Sequence, residues 1–274
     1  MNKIYACYIV YNEADKIAMS LNSIVPYVDK VIIVDGAFKH FEHACPKSMD
    51  DTKNIAMEIC GNKLIWIDCP KENGEYVPWN GQEEDEVEKR NAYLNYVPSG
   101  AWFYVMDADV IVTGDIAKLL NELRESDTYD GNEIIAVRML NFYPVLSENS
   151  REVPPKIKQI LWEVEDIERS GLADWFSFKD GYGWKLDENT ISPVNWIGYY
   201  GPVVCIYKKV EGMQYKHFHS AIYLGDKLFA SDHKWKTVPF ILSLNMKMLN
   251  SFERHCAMSQ HKKDEETMIK DMGK

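Results

Sequence analysis

The chain has 274 residues, 46% apolar and 27% charged, with a formal net charge of −11. This is the balance of a folded chain long enough to bury a substantial core. An acidic surplus of this size excludes nucleic acid as the main partner, because binding its phosphates demands a basic surface.

The first half alternates in period. Ile4 to Val10 is a short apolar run of the kind that forms a buried strand, and Ala14 to Ile24 then places Ile17, Leu21 and Ile24 at helical spacing. Asn12 is the expected N-cap of that helix, with Asp15 three residues on. Val31–Val34, Leu64–Ile67, Trp102–Met106 and Ile134–Val137 are read as the next four strands. Helices are expected over Thr52–Cys60 and Glu83–Val97, and on the stripe Ile116, Leu119, Leu120 and Leu123. Strand and helix in alternation predict βαβ units, and continuously apolar strands predict a mostly parallel sheet covered on both faces. The second half is less regular and rich in aromatics, with a strand expected at Gly201–Tyr207 and a helix over Lys236–Ser259. The expected organisation is one domain over residues 1–274. A ligand-binding half covers 1–142, a less regular half 143–235, and a C-terminal helix and tail 236–274.

Each early strand runs into carboxylates or amides: Asn12-Glu13, Asp35, Asp68 and Asp107-Ala108-Asp109. Open parallel sheets bind ligands outside the carboxyl ends of their strands. Asp and Asn also favour turns and caps for purely local reasons, so the weight lies on all four ends together. In extended backbone, Asp107 and Asp109 would face the same way and could share one cation. Two carboxylates that close repel unless a cation or proton intervenes, and an all-oxygen donor set suits Mg²⁺ or Mn²⁺. Arg90, one helix upstream, suits planar contact with phosphate.

The blocks Tyr8-Ile9-Val10-Tyr11-Asn12-Glu13, Val31–Gly36 and Glu88-Lys89-Arg90-Asn91-Ala92 through Asp109 resemble, in order and spacing, the family 2 glycosyltransferases of GT-A fold. The resemblance covers about the first 140 residues. It implies a Rossmann-like, mostly parallel sheet flanked by helices, and transfer of a sugar from a nucleoside diphosphate donor, a UDP-sugar being favoured. It also implies inversion at the anomeric carbon and Mn²⁺ or Mg²⁺ as cofactor. Tyr11, Asn12, Glu13 and Asp35 would then line the nucleoside pocket, and Arg90, Asn91, Asp107 and Ala108 would hold the donor. Asp107 and Asp109 would bind the metal, with His219 completing the site and His217 in reserve. An inverting enzyme needs a carboxylate base; Asp166, Asp174 and Asp180 are candidates, as are Glu163 and Glu165, and no motif chooses among them. The acceptor (a glycan, a lipid or a small molecule) is open.

Trp175, Phe176, Trp184, Trp196 and Tyr199 are expected either to stack on a sugar face or to fill the core. His40, His43 and Cys45 lack a fourth ligand at sensible spacing and are read as a loop. The six cysteines, Cys7, Cys45, Cys60, Cys69, Cys205 and Cys256, contain no Cys-x-x-Cys pair. With no signal peptide and no apolar run near the ~18 residues of a membrane span, a reducing cytoplasmic location is expected. The stripe Phe240, Leu244, Met248 and Phe252 is expected to face the core or a homodimer contact. Two rival readings stand beside the enzyme: a non-catalytic nucleotide- or glycan-binding protein on the same fold, and a nucleotidyltransferase. The second lacks its customary Gly-rich basic loop at Tyr11–Asp15.

Overall fold

The computed structural model describes residues 1–39, 45–80, 86–112, 114–125, 133–144, 176–178, 184–186, 194–216, 222–229 and 235–246. In chain order the elements begin with β1 (Ile4–Val10), α1 (Ile17–Ile24), β2 (Lys30–Asp35), α2 (Thr52–Cys60) and β3 (Leu64–Ile67). A short hairpin, β4 (Lys71–Glu72) and β5 (Glu75–Tyr76), follows. Next come α3 (Val87–Leu94), β6 (Trp102–Met106), β7 (Val110–Val112), α4 (Gly114–Glu125) and β8 (Ile134–Pro144). The remaining strands are β9 (Phe176–Phe178), β10 (Trp184–Leu186), β11 (Val194–Lys208), β12 (Met213–Tyr215), β13 (Ile222–Leu224), β14 (Lys227–Leu228) and β15 (Trp235–Met246).

Eight strands form one mixed sheet in the order β3-β2-β1-β6-β11-β8-β15-β7. The four that carry the early motifs, β3, β2, β1 and β6, are mutually parallel. β11 enters antiparallel between β6 and β8, and β15 lies parallel to β8. The chain is therefore an α/β fold, as expected, with helices on both faces of a largely parallel centre.

Period two in the strands splits the interior into two cores. Ile4, Ala6, Tyr8 and Val10 of β1, Val31 and Ile33 of β2, and Trp102, Tyr104 and Met106 of β6 pack on one face. They meet Ile17, Leu21 and Ile24 of α1, Ala56 of α2, and Leu119, Leu120 and Leu123 of α4. Tyr5, Cys7, Ile32, Val34 and Phe103 point to the other face, against Tyr93 and Leu94 of α3 and Tyr215 of β12. Full burial of one such aliphatic side chain stabilises the fold by roughly 1.5–3 kcal/mol. This is why strands apolar on both sides are confined to the middle of the sandwich.

The helix at Thr52–Cys60 is where its sequence pattern puts it. Other expectations need correcting. α1 starts at Ile17, and Asn12 is not its cap: Lys16 holds that position with no side-chain cap bond, while Asn12 adopts φ 53°. α3 closes at Leu94, followed by a tightened turn through Val97 ahead of Pro98. Over its described part the helix expected at Lys236–Ser259 is a strand, Trp235–Met246, while residues 247–259 lie outside the described residues. Pro239 explains the failure, since a proline inside a helix loses a hydrogen bond and clashes with the preceding turn. In β15 it sits where the register with β8 shifts, between Thr237 and Ile241, the kind of irregularity that admits proline in a sheet. The strands expected at Ile134 and Gly201 are both longer, β8 reaching Pro144 and β11 starting at Val194.

Among the described residues no helix is long and apolar enough to cross a membrane, and Cys7, Cys45, Cys60, Cys69 and Cys205 are free thiols.

Candidate functional site

Parallel register brings the strand ends to one edge. Val10 pairs with Asp35, Val34 with Ile67, and Tyr8 with Met106. Asp68 therefore follows beside Asp35, and Asp107 leaves β6 just past the middle of that edge. The four acidic or amide ends singled out by sequence do converge, but their surroundings differ.

The ends of β1 and β2 are strapped together by the segment Cys45–Thr52. Ser48 donates through its backbone N–H to Asp35 Oδ2 (3.1 Å) and through its hydroxyl to Asp35 Oδ1, and its Oγ accepts the Asn12 N–H at 2.8 Å. Asn12 Oδ1 in turn accepts the Met49 N–H at 2.9 Å. The Glu13 N–H reaches Thr52 Oγ1 at 2.8 Å, and the Ala14 N–H reaches Asp50 Oδ2 at 3.0 Å. The Tyr11 hydroxyl donates to the Cys45 carbonyl at 2.9 Å. Glu13 also pairs with Lys16 at 2.7 Å. Asp35 is 2% exposed, and its burial pushes its carboxyl upward against the pull of the Ser48 bonds and the Lys89 charge.

α3 props these ends from below. Lys89, 1% exposed, donates its ammonium to the carbonyls of Val10 (2.9 Å) and Gly36 and lies 4.6 Å from the Phe38 ring centroid. A buried ammonium is tolerable only with such partners. Gly36 has φ +126°, and a Cβ there would lie 2.6 Å from Cys69 Cβ and 2.9 Å from the Pro46 carbonyl oxygen. The position accepts only glycine.

At β3, Asp68 accepts from Trp66 Nε1 (2.9 Å) and from Lys53 (3.1 Å). Burial opposes ionisation there, but these donors and the nearby Lys47 outweigh it and hold the carboxyl below its usual range.

The end of β6 is built otherwise. Asp107 to Val110 form a tight turn closed by Val110 N–H to Asp107 O at 3.0 Å, so the extended-strand argument for a shared face does not apply. A four-residue turn nevertheless keeps its first and third residues, Asp107 and Asp109, in one small bend. Ser20 of α1 pins it by donating to the Asp107 carbonyl at 3.3 Å, while the Tyr8 hydroxyl meets the same Ser20 Oγ at 2.9 Å. Ala108 is buried, Asp109 half-buried and Asp107 exposed.

Arg90 is 7% exposed. Its Nε and Nη2 donate to Glu86 Oε2 at 2.9 and 2.6 Å, and Nη1 faces the Tyr93 hydroxyl at 3.4 Å. Burial works against its charge. The Tyr93 and Tyr215 oxygens and the Glu86 and Asp107 carboxylates outweigh burial and hold the guanidinium charged. Arg90 thus touches the Asp107 turn through its field, with its donors largely engaged. Asn91 has both ends of its amide on the Tyr215 backbone, at 3.0 and 2.8 Å.

Among the described residues no three His, Cys, Asp or Glu side chains gather into a metal-binding group. Asp107 and Asp109 supply two hard oxygen donors, which fits a small dication that keeps positions for water and phosphate. His217, His219, Asp166, Asp174, Asp180, Glu163, Glu165, Trp175, His40 and His43 lie outside the described residues, while Phe176, Trp184, Trp196 and Tyr199 fall on β9, β10 and β11.

Sequence reasoning missed Ser48, Thr52, Lys89 and Tyr215. For the first two a signal existed: Ser48-Met49-Asp50-Asp51-Thr52 is an N-terminal helix signature ahead of α2. A buried lysine within a charge run carries none.

No family model matches the chain, and no curated protein sequence matches it. Solved structures give partial likenesses. Residues 1–349 of TarS from S. aureus, also solved in complex with UDP, are 19% identical. The likeness to that structure covers 57% of this chain and 39% of the 1–349 chain, with a TM-score of 0.33. Glucosyl-3-phosphoglycerate synthase from Mycobacterium tuberculosis, solved with Mn²⁺, UDP and glucosyl-3-phosphoglycerate, is 18% identical over 61% of this chain and 52% of its own, with a TM-score of 0.34. The mannosyltransferase PcManGT from Pyrobaculum calidifontis, in complex with GDP-Man and Mn²⁺, is 16% identical over 49% and 35%, with a TM-score of 0.34. The chain thus spans between about a third and a half of the length of these structures.

Proposed function

We propose that the chain is a metal-dependent glycosyltransferase that takes its sugar from a nucleoside diphosphate donor, a UDP-sugar in the first instance, with inversion at the anomeric carbon. The observation that carries this reading is the contrast at one sheet edge. Asp107 is exposed on a pinned turn after β6, while the neighbouring ends of β1 and β2 are closed by internal hydrogen bonds. The edge is the one at which open α/β sheets bind ligands.

Asp107 and Asp109 would hold Mn²⁺ or Mg²⁺, with His219, or His217 in its place, as a further ligand. When bound, the metal offsets the charge that develops on the departing diphosphate. The protein's own contribution is electrostatic. Two carboxylates repel a diphosphate, so binding requires a cation between them, and the chain's overall negative charge makes that requirement stricter. Buried Arg90 keeps a permanent positive charge behind the turn. Tyr11, Asn12, Glu13 and Asp35, held by the Ser48 strap, would form the wall on the nucleoside side, and Asp166, Asp174 or Asp180 would serve as base toward the acceptor hydroxyl.

The test is thermal unfolding with UDP-, GDP- and dTDP-sugars, with and without Mn²⁺. A ligand at 100 times its Kd stabilises by about 2.7 kcal/mol, a shift of several degrees for a domain of this size. We expect stabilisation by the UDP-sugar only with Mn²⁺, its loss in Asp109→Ala, and slow metal-dependent hydrolysis of the donor. Stabilisation without any hydrolysis or transfer would identify a binding protein instead, and no stabilisation by any of the three would remove the reading.

A further inference from the structure

Helix α1 grips the Asp107–Val112 segment at both ends. Ser20, 0% exposed, donates its hydroxyl to the Asp107 carbonyl at 3.3 Å and meets the Tyr8 hydroxyl at 2.9 Å. With the Ser20 proton directed at Asp107, Tyr8 is the donor of the second bond. One turn further along the helix, Ser23 accepts the Val112 N–H on its Oγ at 3.1 Å and donates its own proton to the Ser20 carbonyl at 2.7 Å. Residues i and i+3 of a helix lie side by side, so both serines act from one face of α1. That helix is itself anchored by Ile17, Leu21 and Ile24, all fully buried.

Between the two serines lies the turn that carries Asp107 and Asp109. The Asp107 carbonyl accepts from the Ser20 hydroxyl and from the Val110 N–H that closes the turn. β7 follows at once, a strand of three residues at the end of the sheet order, paired among the described residues with β15. So short an edge strand has few ladder bonds of its own to hold the turn in place, and Ser23 adds one at Val112. Two carboxylates on one small turn repel each other while no cation lies between them. That repulsion works to open the turn, and the bonds from α1 oppose it.

We propose that Ser20 and Ser23 are positioning residues for the metal site: by clamping both ends of the Asp107–Val112 segment to α1, they hold the two carboxylates at the spacing that one small dication needs. Neither serine is a ligand. A small dication tolerates little departure from its preferred ligand geometry, so a turn already closed when the ion arrives binds it more tightly than a turn the ion must close. The inference rests on the metal-dependent reading of Asp107 and Asp109 and adds to it the groups that keep those ligands in place.

The test joins amide hydrogen exchange of the metal-free chain to Mn²⁺ titration by calorimetry in saturating UDP. Ser20→Ala is expected to speed exchange at the Val110 amide and to weaken Mn²⁺ binding about 10-fold, the lower end of the range for groups that orient metal ligands. Ser23→Ala is expected to speed exchange at Val112 and to weaken Mn²⁺ binding by a smaller factor. Ser23→Thr keeps the hydroxyl and is expected to restore both. Val97→Ala, in the core on the opposite face of the sheet, lowers the urea midpoint through a cavity and is expected to leave Mn²⁺ affinity unchanged, which separates positioning from stability alone. Should Ser20→Ala fail to fold, Tyr8→Phe removes the donor that orients the Ser20 hydroxyl while keeping the ring, and a partial loss of Mn²⁺ affinity is expected. A folded Ser20→Ala chain that binds Mn²⁺ as tightly as the wild type overturns the inference. So does wild-type affinity in both Ser23→Ala and Tyr8→Phe, or an equal loss in Val97→Ala. A wild-type chain that takes up no Mn²⁺ overturns the metal site and this inference with it; in the other cases the site itself survives.

Discussion

The ends of β2 and β6 carry the same residue type at the same edge of one sheet, and they have opposite fates. Asp35 is sealed, with both oxygens engaged by Ser48 and 2% of the residue exposed. Asp107 stands exposed on a turn that grips its carbonyl and, among the described residues, makes no ion pair through its carboxylate. The first is tied into the framework, and the second is presented to whatever binds. A carboxylate at a strand end is therefore ambiguous until its neighbours are known, since the same oxygen can stabilise the fold or meet a ligand.

That contrast can be broken at several points. The largest effect is expected at Gly36→Ala, which forces a Cβ against Cys69 and Pro46 at positive φ. It should destabilise by roughly 3 kcal/mol or more, combining backbone strain with overpacking, read as a lowered urea midpoint.

Next comes the pair Asp35→Ala and Asp109→Ala. The first strands the Ser48 hydroxyl and N–H and should cost about 2–3 kcal/mol. The second, at a half-buried residue, should cost less than the first while abolishing the Mn²⁺-dependent shift. Equal stability losses in the two variants would erase the distinction drawn between the strand ends.

A pH series sharpens it further, because Asp35 and Asp68 are shifted in opposite directions. Burial raises Asp35 above its usual value of 3.8. The folded state then holds a proton that the unfolded chain has lost, so its contribution is present below pH 3.8 and fades as pH climbs through the raised folded value. Asp68, lowered by its Trp66 and Lys53 bonds despite burial, contributes above the unfolded value of 3.8 and loses its contribution as pH falls through the folded one. Urea midpoints of Asp35→Asn should accordingly gain on the wild type as pH rises just above 3.8. Those of Asp68→Asn should flatten the loss in acid. The smallest effect is expected at Lys53→Ala, where a part-exposed pair with Asp68 is worth no more than about 1 kcal/mol by unfolding.

Local pattern made much of the fold legible. Apolar runs without breakers give β1, β2, β3 and β6, and the i, i+3, i+4, i+7 stripe gives α4 around Leu119, Leu120 and Leu123. The reading failed where a local signal competed with a distant one. The apolar spacing after Lys236 suits a helix, but Pro239 and pairing with β8 make it a strand. Asn12 looks like a cap, yet Ser48 and Met49, more than thirty residues away in sequence, claim it. At the site, the convergence of Asp35, Asp68 and Asp107 was readable because parallel strands bring like ends to one edge. Their exposure was not, because burial depends on what the intervening segments cover.

What the sequence by itself determined is the alternating order of strands and helices and the placement of acidic residues at the strand ends, since periodicity and turn chemistry are local. Tertiary structure alone decided that Ser48 closes over Asp35, that Arg90 turns its donors to Glu86 and Tyr93, and that Asn91 is committed to Tyr215. Those choices depend on which distant groups arrive within hydrogen-bonding reach, and no periodicity in the chain encodes that distance.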